Sequence, residues 1–358
     1  MNHLNKKNTK YYETPEEFYK DLLKDIKKAK KTIYIETHKF GGKIAYELKQ
    51  ALIEKAKRKV DIKILIDHWG LMVPKDYFKE LEQLGAEIRY FRVFKITTNL
   101  ISYNNKRDHR KIALIDNEIS YTGSANINDH CKKWREFIVR IRDEGFAQKL
   151  KKAFLDNMKL HDFFFHSVKK HIKPIRFQSL EIIRDAPSLR FQKIRNKHLH
   201  LIRKAKKEVI IETPYFVPDL KTLIALIQTA KKGVKIKLIL PKKSDVKIVD
   251  VFAQSMFGKL HERGIKIHLY RPGFTHSKLT LVDDETFSFG SANFDYRSFR
   301  DQYELTIFGK NTVLKEYVKK HLEKSLESTE EFNYKEWKKR SLLKRIMEII
   351  IEPFRHFL

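Results

Sequence analysis

The sequence predicts an α/β protein built twice: two tandem α/β/α sandwich domains related by a pseudo-two-fold axis, with one active site shared between them. Three observations carry this. A short constellation with the spacing HxK(x4)D occurs as His109-Arg110-Lys111 with Asp116, and again as His276-Ser277-Lys278 with Asp283. Each copy is followed by the same tetrapeptide, Gly123-Ser124-Ala125-Asn126 or Gly290-Ser291-Ala292-Asn293, with its Ser fifteen residues after the His, and then by an acidic residue, Glu136 or Glu304. The repeat also extends beyond the motif. Ala51-Leu52-Ile53, Ala56-Lys57, Val60 and Ile62-Lys63 recur at a fixed offset of 174 as Ala225-Leu226-Ile227, Ala230-Lys231, Val234 and Ile236-Lys237, and Ile35-Glu36-Thr37 recurs as Ile211-Glu212-Thr213. A period this long excludes a solenoid and leaves a duplicated domain, each copy supplying half of a site.

In the first half, Thr14-Pro15-Glu16-Glu17 has the pattern of a capping box with Pro at the first helical position. Phe18, Leu22 and Ile26 then share one face, so a helix is expected to start there. Residues 32–37 and 61–67 are short β-branched runs suited to buried strands, with an amphipathic helix expected over residues 43–59 between them. Ile112-Ala113-Leu114-Ile115 and Leu279-Thr280-Leu281-Val282 follow directly on the motif lysines. This spacing puts each His and Lys on a strand, at i and i+2, with both side chains on one face. Strands alternating with helices favour a parallel or mixed sheet covered by helices.

The chemistry suits those residue types. One imidazole can attack phosphorus, a second can protonate the leaving alkoxide, and Lys, Ser and Asn donors can hold the non-bridging oxygens. His109, Lys111, His276 and Lys278 are therefore the candidate catalytic groups, and Ser124, Asn126, Ser291 and Asn293 the candidate phosphate ligands. Glu136 and Glu304 are placed by spacing to orient a His and fix its tautomer. Asp116 and Asp283 complete the catalytic motif, although their place at the far ends of strands suits a turn anchor. Neither a metal nor a cofactor is expected, since two lysines repel a divalent cation and a two-metal carboxylate cluster is missing.

At these residues the chain resembles the phospholipase D superfamily, whose motif is HxK(x4)D followed by a G-[GS]-x-N segment; the resemblance covers residues 14–310. Within the superfamily it is similar to the bacterial cardiolipin synthases at Glu212-Thr213-Pro214-Tyr215-Phe216-Val217-Pro218-Asp219, at Arg271-Pro272-Gly273-Phe274 before His276, at Asp108-His109-Arg110-Lys111, and at Gly290-Ser291-Ala292-Asn293-Phe294-Asp295-Tyr296-Arg297-Ser298. It departs at Gly123-Ser124, where those synthases more often have two glycines. It departs also at its polar segment Met1 to Tyr12, where the long type carries two hydrophobic spans. The resemblance implies the short type, with phospholipase-D-like domains over residues 1–170 and 171–330 and a basic amphipathic helix over 331–358. It also implies double displacement: His109 attacks the phosphorus of phosphatidylglycerol, His276 protonates the departing glycerol, and a second phosphatidylglycerol resolves the phosphatidyl-histidine to cardiolipin. Water as acceptor gives phosphatidic acid instead.

Composition sets the remaining bounds. A chain of 358 residues with 42% hydrophobic and 34% charged residues can bury two ordinary cores. A lone cysteine, Cys131, excludes an intrachain disulfide, and without a signal peptide or transmembrane run a reducing cytoplasmic setting is expected. The net charge of +30 calls for an anionic partner. Each Lys or Arg near an anionic leaflet contributes about 1 kcal/mol, and the same charge would serve DNA. The C-terminus separates the two. After Trp337-Lys338-Lys339-Arg340, residues Leu343, Ile346, Met347, Ile350, Ile351 and Phe354 recur at helical spacing, a stripe too short to span a bilayer that suits its interface, the same pattern also fitting a helix packed back onto the domain core.

The expected partner is therefore an anionic phospholipid, phosphatidylglycerol, at the cytoplasmic face of a membrane, with peripheral attachment and no obligate protein partner. Between Tyr90 and His109 the first half carries a longer stretch than the second, including Ile96-Thr97-Thr98-Asn99-Leu100-Ile101-Ser102-Tyr103, which is expected as a loop over the active-site mouth. Two rivals use the same histidines: hydrolysis of phospholipids, and a nuclease of the phospholipase D type, for which the basic charge also suits nucleic acid. A non-catalytic binding module would have lost a His or Lys from one half, and both pairs are intact.

Overall fold

The computed structural model describes residues 4–74, 76–91, 106–160 and 173–353. The loop expected over residues 96–103 and Phe354 of the C-terminal stripe lie outside these. In chain order the helices among the described residues are α1 (Pro15–Lys28), α2 (Gly42–Lys57), α3 (Lys79–Gln83), α4 (Glu144–Leu160), α5 (Lys193–Lys204), α6 (Leu220–Lys231), α7 (Lys247–His261), α8 (Tyr296–Arg300), α9 (Thr312–Glu327), α10 (Tyr334–Lys338) and α11 (Leu342–Ile351). Helix α1 begins where the sequence places it, with Pro15 at its start and Phe18, Leu22 and Ile26 buried. Its capping box is a correction: Thr14 has the extended backbone of a cap, but its side chain makes no capping hydrogen bond.

Among the described residues, the first half forms a seven-stranded sheet in the order Thr9–Tyr12, Ile138–Arg142, Ile119–Gly123, Ile112–Ile115, Thr32–Thr37, Asp61–Asp67, Glu87–Phe91. The last three strands run parallel, with Ile35 opposite Ile64 and Ile64 opposite Ile88. Strand Thr32–Thr37 pairs antiparallel with Ile112–Ile115 on its other side, so the sheet is mixed. The second half repeats this order with Gln302–Gly309, Thr286–Gly290, Leu279–Val282, Glu208–Glu212, Lys235–Pro241 and Ile265–Tyr270. Ile211 there stands opposite Leu238 and Thr280, as Ile35 stands opposite Ile64 and Ala113. The fold class is thus the predicted one, two α/β halves in pseudo-symmetric arrangement.

Burial explains the layering. One apolar cluster joins the halves, drawing Phe146, Leu150 and Phe154 from α4 and Leu314, Val318 and Leu322 from α9 onto Val139, Phe289 and Ile307 of the two sheets. The outer faces are covered separately, by α1 and α2 in the first half and by α5, α6 and α7 in the second. Strands buried on both faces read as continuous apolar runs, which is why Ile112–Ile115 shows no alternation and Leu279–Val282 is broken only by the buried Thr280.

One placement is corrected. His109 and Lys111 lie in an extended lead-in between the two-residue strand Arg107–Asp108 and strand Ile112–Ile115, and His276 and Lys278 precede Leu279–Val282 in the same way. The lead-ins cross between halves: Arg107–Asp108 pairs with Gln302 and Tyr303, and Thr275 bridges to Arg135.

Candidate active site

The crossing brings the two motifs together. The backbone N–H of His109 donates to Tyr303 O at 2.9 Å, and that of His276 to Arg135 O at 2.7 Å, so each His is held beside the residue that precedes the other half's glutamate. The side chains follow. Nδ1 of His109 lies 3.0 Å from Glu304 Oε1, and Nδ1 of His276 lies 2.8 Å from Glu136 Oε1. Spacing put each glutamate after the His of its own copy; the structure gives it to the His of the opposite copy. With Nδ1–H directed at a carboxylate, Nε2 is the ring nitrogen left with an available lone pair.

The two serines, expected to hold phosphate, bond to the glutamates here. Ser124 Oγ donates to Glu136 Oε2 and accepts from the Phe137 N–H at 2.9 Å; Ser291 Oγ donates to Glu304 Oε2 and accepts from the Leu305 N–H at 3.0 Å. The glycine before each Ser is required by close approach. A Cβ at Gly123 would fall 2.1 Å from Phe137 O, and one at Gly290 would fall 2.2 Å from Leu305 O.

The lysines turn inward. Lys111 Nζ donates to His109 O, and Lys278 Nζ to His276 O at 2.6 Å, with both side chains buried. Asn126 and Asn293 are buried beside them. Oδ1 of Asn126 accepts from the Lys39 N–H at 3.2 Å, and Nδ2 of Asn293 donates to Asp295 at 3.0 Å.

Asp116 and Asp283 are elsewhere, and this removes them from the cluster. Both have left-handed backbones, φ 55° each, and are followed by left-handed Asn117 and Asp284, a conformation Asp and Asn tolerate in tight hairpin turns. The Asp116 carboxylate accepts the backbone N–H groups of Lys30, Lys31 and Thr32, and that of Asp283 accepts those of Lys206, Lys207 and Glu208. The last residue of the motif thus closes the hairpin and anchors the start of each central strand.

Burial governs the electrostatics. Both imidazoles are pushed well below the ordinary histidine range, first by burial and then by the two lysines. Burial lowers Lys111 to about 8 and Lys278 to about 7, and raises Glu136 to about 7. Glu304 is raised as well, burial being the main cause. Burial therefore favours neutral imidazoles and weakly held ammonium protons in the cluster, a balance that a phosphodiester anion would oppose.

Other residues gather here: His38, Lys39 and Trp134 escaped sequence reading, and Phe274 and Arg297 were read only as part of family-like motifs, without a role. His38 packs edge-on to His109 at 5.2 Å and sits 3.0 Å from Asp108 O. Trp134 and Phe274 flank His276 at 5.0 and 5.7 Å, and Lys39 lies over the Trp134 ring. Arg297 bears on His109 electrostatically. A signal was present for His38 and Lys39: they follow the repeated Ile-Glu-Thr at the carboxyl end of a parallel strand, where α/β folds place ligands. The copies diverge there, with Pro214-Tyr215 in the second half.

Comparison with known proteins gives the family. The family profile described as "Cardiolipin synthase, PLD-like domain" matches residues 22–158 and 198–326, one segment in each half. A cardiolipin synthase of Clostridium perfringens is 32% identical over 93% of this chain and 73% of its own length. The major cardiolipin synthase of Bacillus subtilis is 30% identical, over 93% of this chain and 71% of its own length. In fold, the chain is similar to the crystal structure of phosphatidylserine synthase from Haemophilus influenzae, with TM-score 0.78 and 15% identity over 99% of this chain and 96% of that one. Two matched half-sites, joined by crossed His–Glu pairs inside two matched domains, identify the chain as a member of the cardiolipin synthase family of phospholipase-D-like enzymes.

Proposed function

We propose that this enzyme transfers a phosphatidyl group from one phosphatidylglycerol to another, forming cardiolipin and releasing glycerol. The observation that carries the reading is the convergence of two crossed His–Glu pairs and two buried lysines on one cluster, in a chain whose relatives are cardiolipin synthases. In the first displacement His109 Nε2 attacks phosphorus: a P–N bond forms, the P–O bond to the glycerol headgroup breaks, and His276 gives its Nε2 proton to the departing oxygen. In the second, His276 takes the proton of a hydroxyl on another phosphatidylglycerol. The new P–O bond then displaces His109.

Lys111, Lys278 and the Asn126 amide hold the non-bridging oxygens, while Glu304 keeps His109 in the nucleophilic tautomer and Glu136 steadies the charge on His276. Binding of the diester anion raises the pKa of His276 and so supplies the acid form that burial and the two lysines disfavour. The reading places the protein peripherally at the cytoplasmic face of a membrane, with no obligate protein partner.

The test is incubation of the purified protein, without added metal, with phosphatidylglycerol vesicles or with plasmid DNA, alongside His109→Ala. Cardiolipin and free glycerol from the wild type alone are expected. Phosphatidic acid in their place would make the enzyme a hydrolase, and nicked DNA with untouched lipid would make it a nuclease. A covalent adduct trapped on His276 would reverse the order of the two histidines.

A further inference from the structure

Helix α11 lies beyond the segments matched by the family profile, and it is built to be uncovered. Two contacts fix its base: Trp337 Nε1 donates to Gln254 O at 2.8 Å, and the Arg340 guanidinium stacks on Trp337 at 3.5 Å while pairing with Glu348. At its far end Ile351 is buried among Val217, Val249 and Phe252. Between these anchors Leu342, Leu343, Ile346, Met347, Ile349 and Ile350 are all exposed, Ile349 by 72%. Val249 lies beside two more exposed apolar residues, Val246 and Ile248, at the start of α7.

Both apolar segments are set among exposed cations, Lys338, Lys339, Lys344 and Arg345 around α11 and Lys242, Lys243 and Lys247 beside α7. Isolated exposed apolar side chains are ordinary; a set rimmed mainly by cations, which outnumber the exposed acids Asp245, Glu336 and Glu352, marks an interaction surface. The sign selects an anionic partner. A helix of ten residues is far too short to span a bilayer and suits the interfacial plane.

The face also leads to the catalytic mouth. Tyr215 and Tyr296 pack against the cluster that holds Ile351. Tyr215 lies 6.2 Å from Phe274, and Phe274 lies 5.7 Å from His276. A chain of ring contacts therefore runs from the Ile351 end of α11 past Tyr215, whose hydroxyl donates to Asp245, and Phe274 to the His276 imidazole.

We propose that α11 and the start of α7 seat the protein on an anionic phospholipid bilayer, and that the substrate leaves the bilayer for His276 along the Tyr215–Phe274 wall. The path rests on the phosphatidyl-transfer reading; the docking face does not. Removal of the whole C-terminus is a poor test, since Trp337 and Ile351 are packed. Point changes on the outer face are better: Ile346→Asp with Ile350→Asp, and separately Lys338→Glu with Lys344→Glu.

Full-length protein is sedimented with vesicles of phosphatidylglycerol in phosphatidylcholine and with phosphatidylcholine alone. Turnover is measured on those vesicles and on monomeric short-chain phosphatidylglycerol. Wild type is expected to favour the anionic vesicles. The apolar variant should bind them about tenfold or more weakly, the loss of at least one buried side chain, and the charge variant should lose the preference for phosphatidylglycerol. In both, the ratio of vesicle to monomer turnover should fall. Unchanged vesicle binding by both variants overturns the proposal, as does a wild-type dimer that the apolar variant dissociates with vesicle binding intact. The binding result decides the docking face by itself; absence of wild-type turnover on both substrates would count against phosphatidyl transfer alone.

Discussion

Nδ1 of His109 lies 3.0 Å from Oε1 of Glu304, a carboxylate 195 residues further along the chain and in the other half of the fold. The reciprocal pair, His276 with Glu136, makes the exchange mutual, so neither half completes a His–Glu pair alone. Glu304→Gln keeps the shape and loses the charge that fixes the tautomer. By analogy with the buried aspartate of a serine protease triad, kcat should fall by roughly 10²- to 10⁴-fold with little change in KM. A drop below threefold in steady-state kinetics would show that the crossing is structural only.

Ser124 joins Glu136 to the Phe137 N–H, so its removal acts through the glutamate. Ser124→Ala leaves a buried carboxylate oxygen and a backbone donor short of a partner, a cost of about 1–3 kcal/mol. The melting temperature and kcat should both fall while KM holds. A rise in KM with unchanged kcat and stability would return the hydroxyl to the phosphate.

The lysines set an alkaline limit. Burial lowers Lys278 to about 7 and Lys111 to about 8, and a base with a lowered pKa loses its proton, and its hold on phosphate, as pH climbs through that value. The logarithm of kcat/KM, which reports the free enzyme, should turn down above about pH 7. His109 is pushed well below its ordinary range and stays neutral on the acid side, so no histidine limb is expected near pH 6.5. Lys278→Arg keeps its charge at all these values and should move the downturn upward, at a lower plateau because the guanidinium differs in shape. An unshifted downturn would assign it elsewhere.

A second pH effect acts on stability. His198 is buried among Phe294, Phe299 and Phe308, with its nitrogens on Ile194 O and Ser288 Oγ, and burial lowers it to about 3. The unfolded chain takes up a proton near pH 6.5 that the folded chain refuses until about 3. The contribution of neutral His198 is therefore present above 6.5 and is lost as pH falls through that window, with a slope approaching 1.4 kcal/mol per pH unit per group. Denaturant midpoints from pH 7 to 4 should decline, and the part due to this site should vanish in a variant that tolerates an apolar ring, His198→Phe.

Legibility followed the range over which each feature is determined. Strands Thr32–Thr37 and Asp61–Asp67 and the start of α1 are set by local pattern, and their limits were readable. The His, Lys, Ser, Asn and Glu of each copy were readable because duplication printed them twice. Their partners were not, since a crossed pair and an uncrossed pair have identical spacing. Trp134 was hidden for another reason: the copies differ at the mouth, and a residue without a twin has no repeat to announce it, whereas Phe274 and Arg297 were legible only through the family resemblance, without a role. The bonds of Ser124 and Ser291 to the glutamates were not readable either, because chemistry alone cannot tell a donor facing substrate from one facing a buried carboxylate.

The aspartate of the motif illustrates the same point and carries the last prediction. Asp116 holds a left-handed backbone and collects three N–H groups from residues 30–32, as Asp283 does from residues 206–208. Burial opposes the charge on Asp283, but those N–H donors outweigh it and hold the carboxyl below its usual range, so its contribution is present at neutral pH and lost in acid. Asp116→Ala removes the acceptor and puts a residue that resists left-handed geometry in the turn, a combined loss of about 2–4 kcal/mol. Asp116→Asn keeps the turn and one acceptor, and should recover roughly half of that loss. Both variants, assayed well below their melting temperatures, should keep kcat within about threefold, because a displaced turn reaches the cluster only through strand Ile112–Ile115. A hundredfold fall in kcat for Asp116→Asn with an unchanged melting temperature would restore the aspartate to the chemistry.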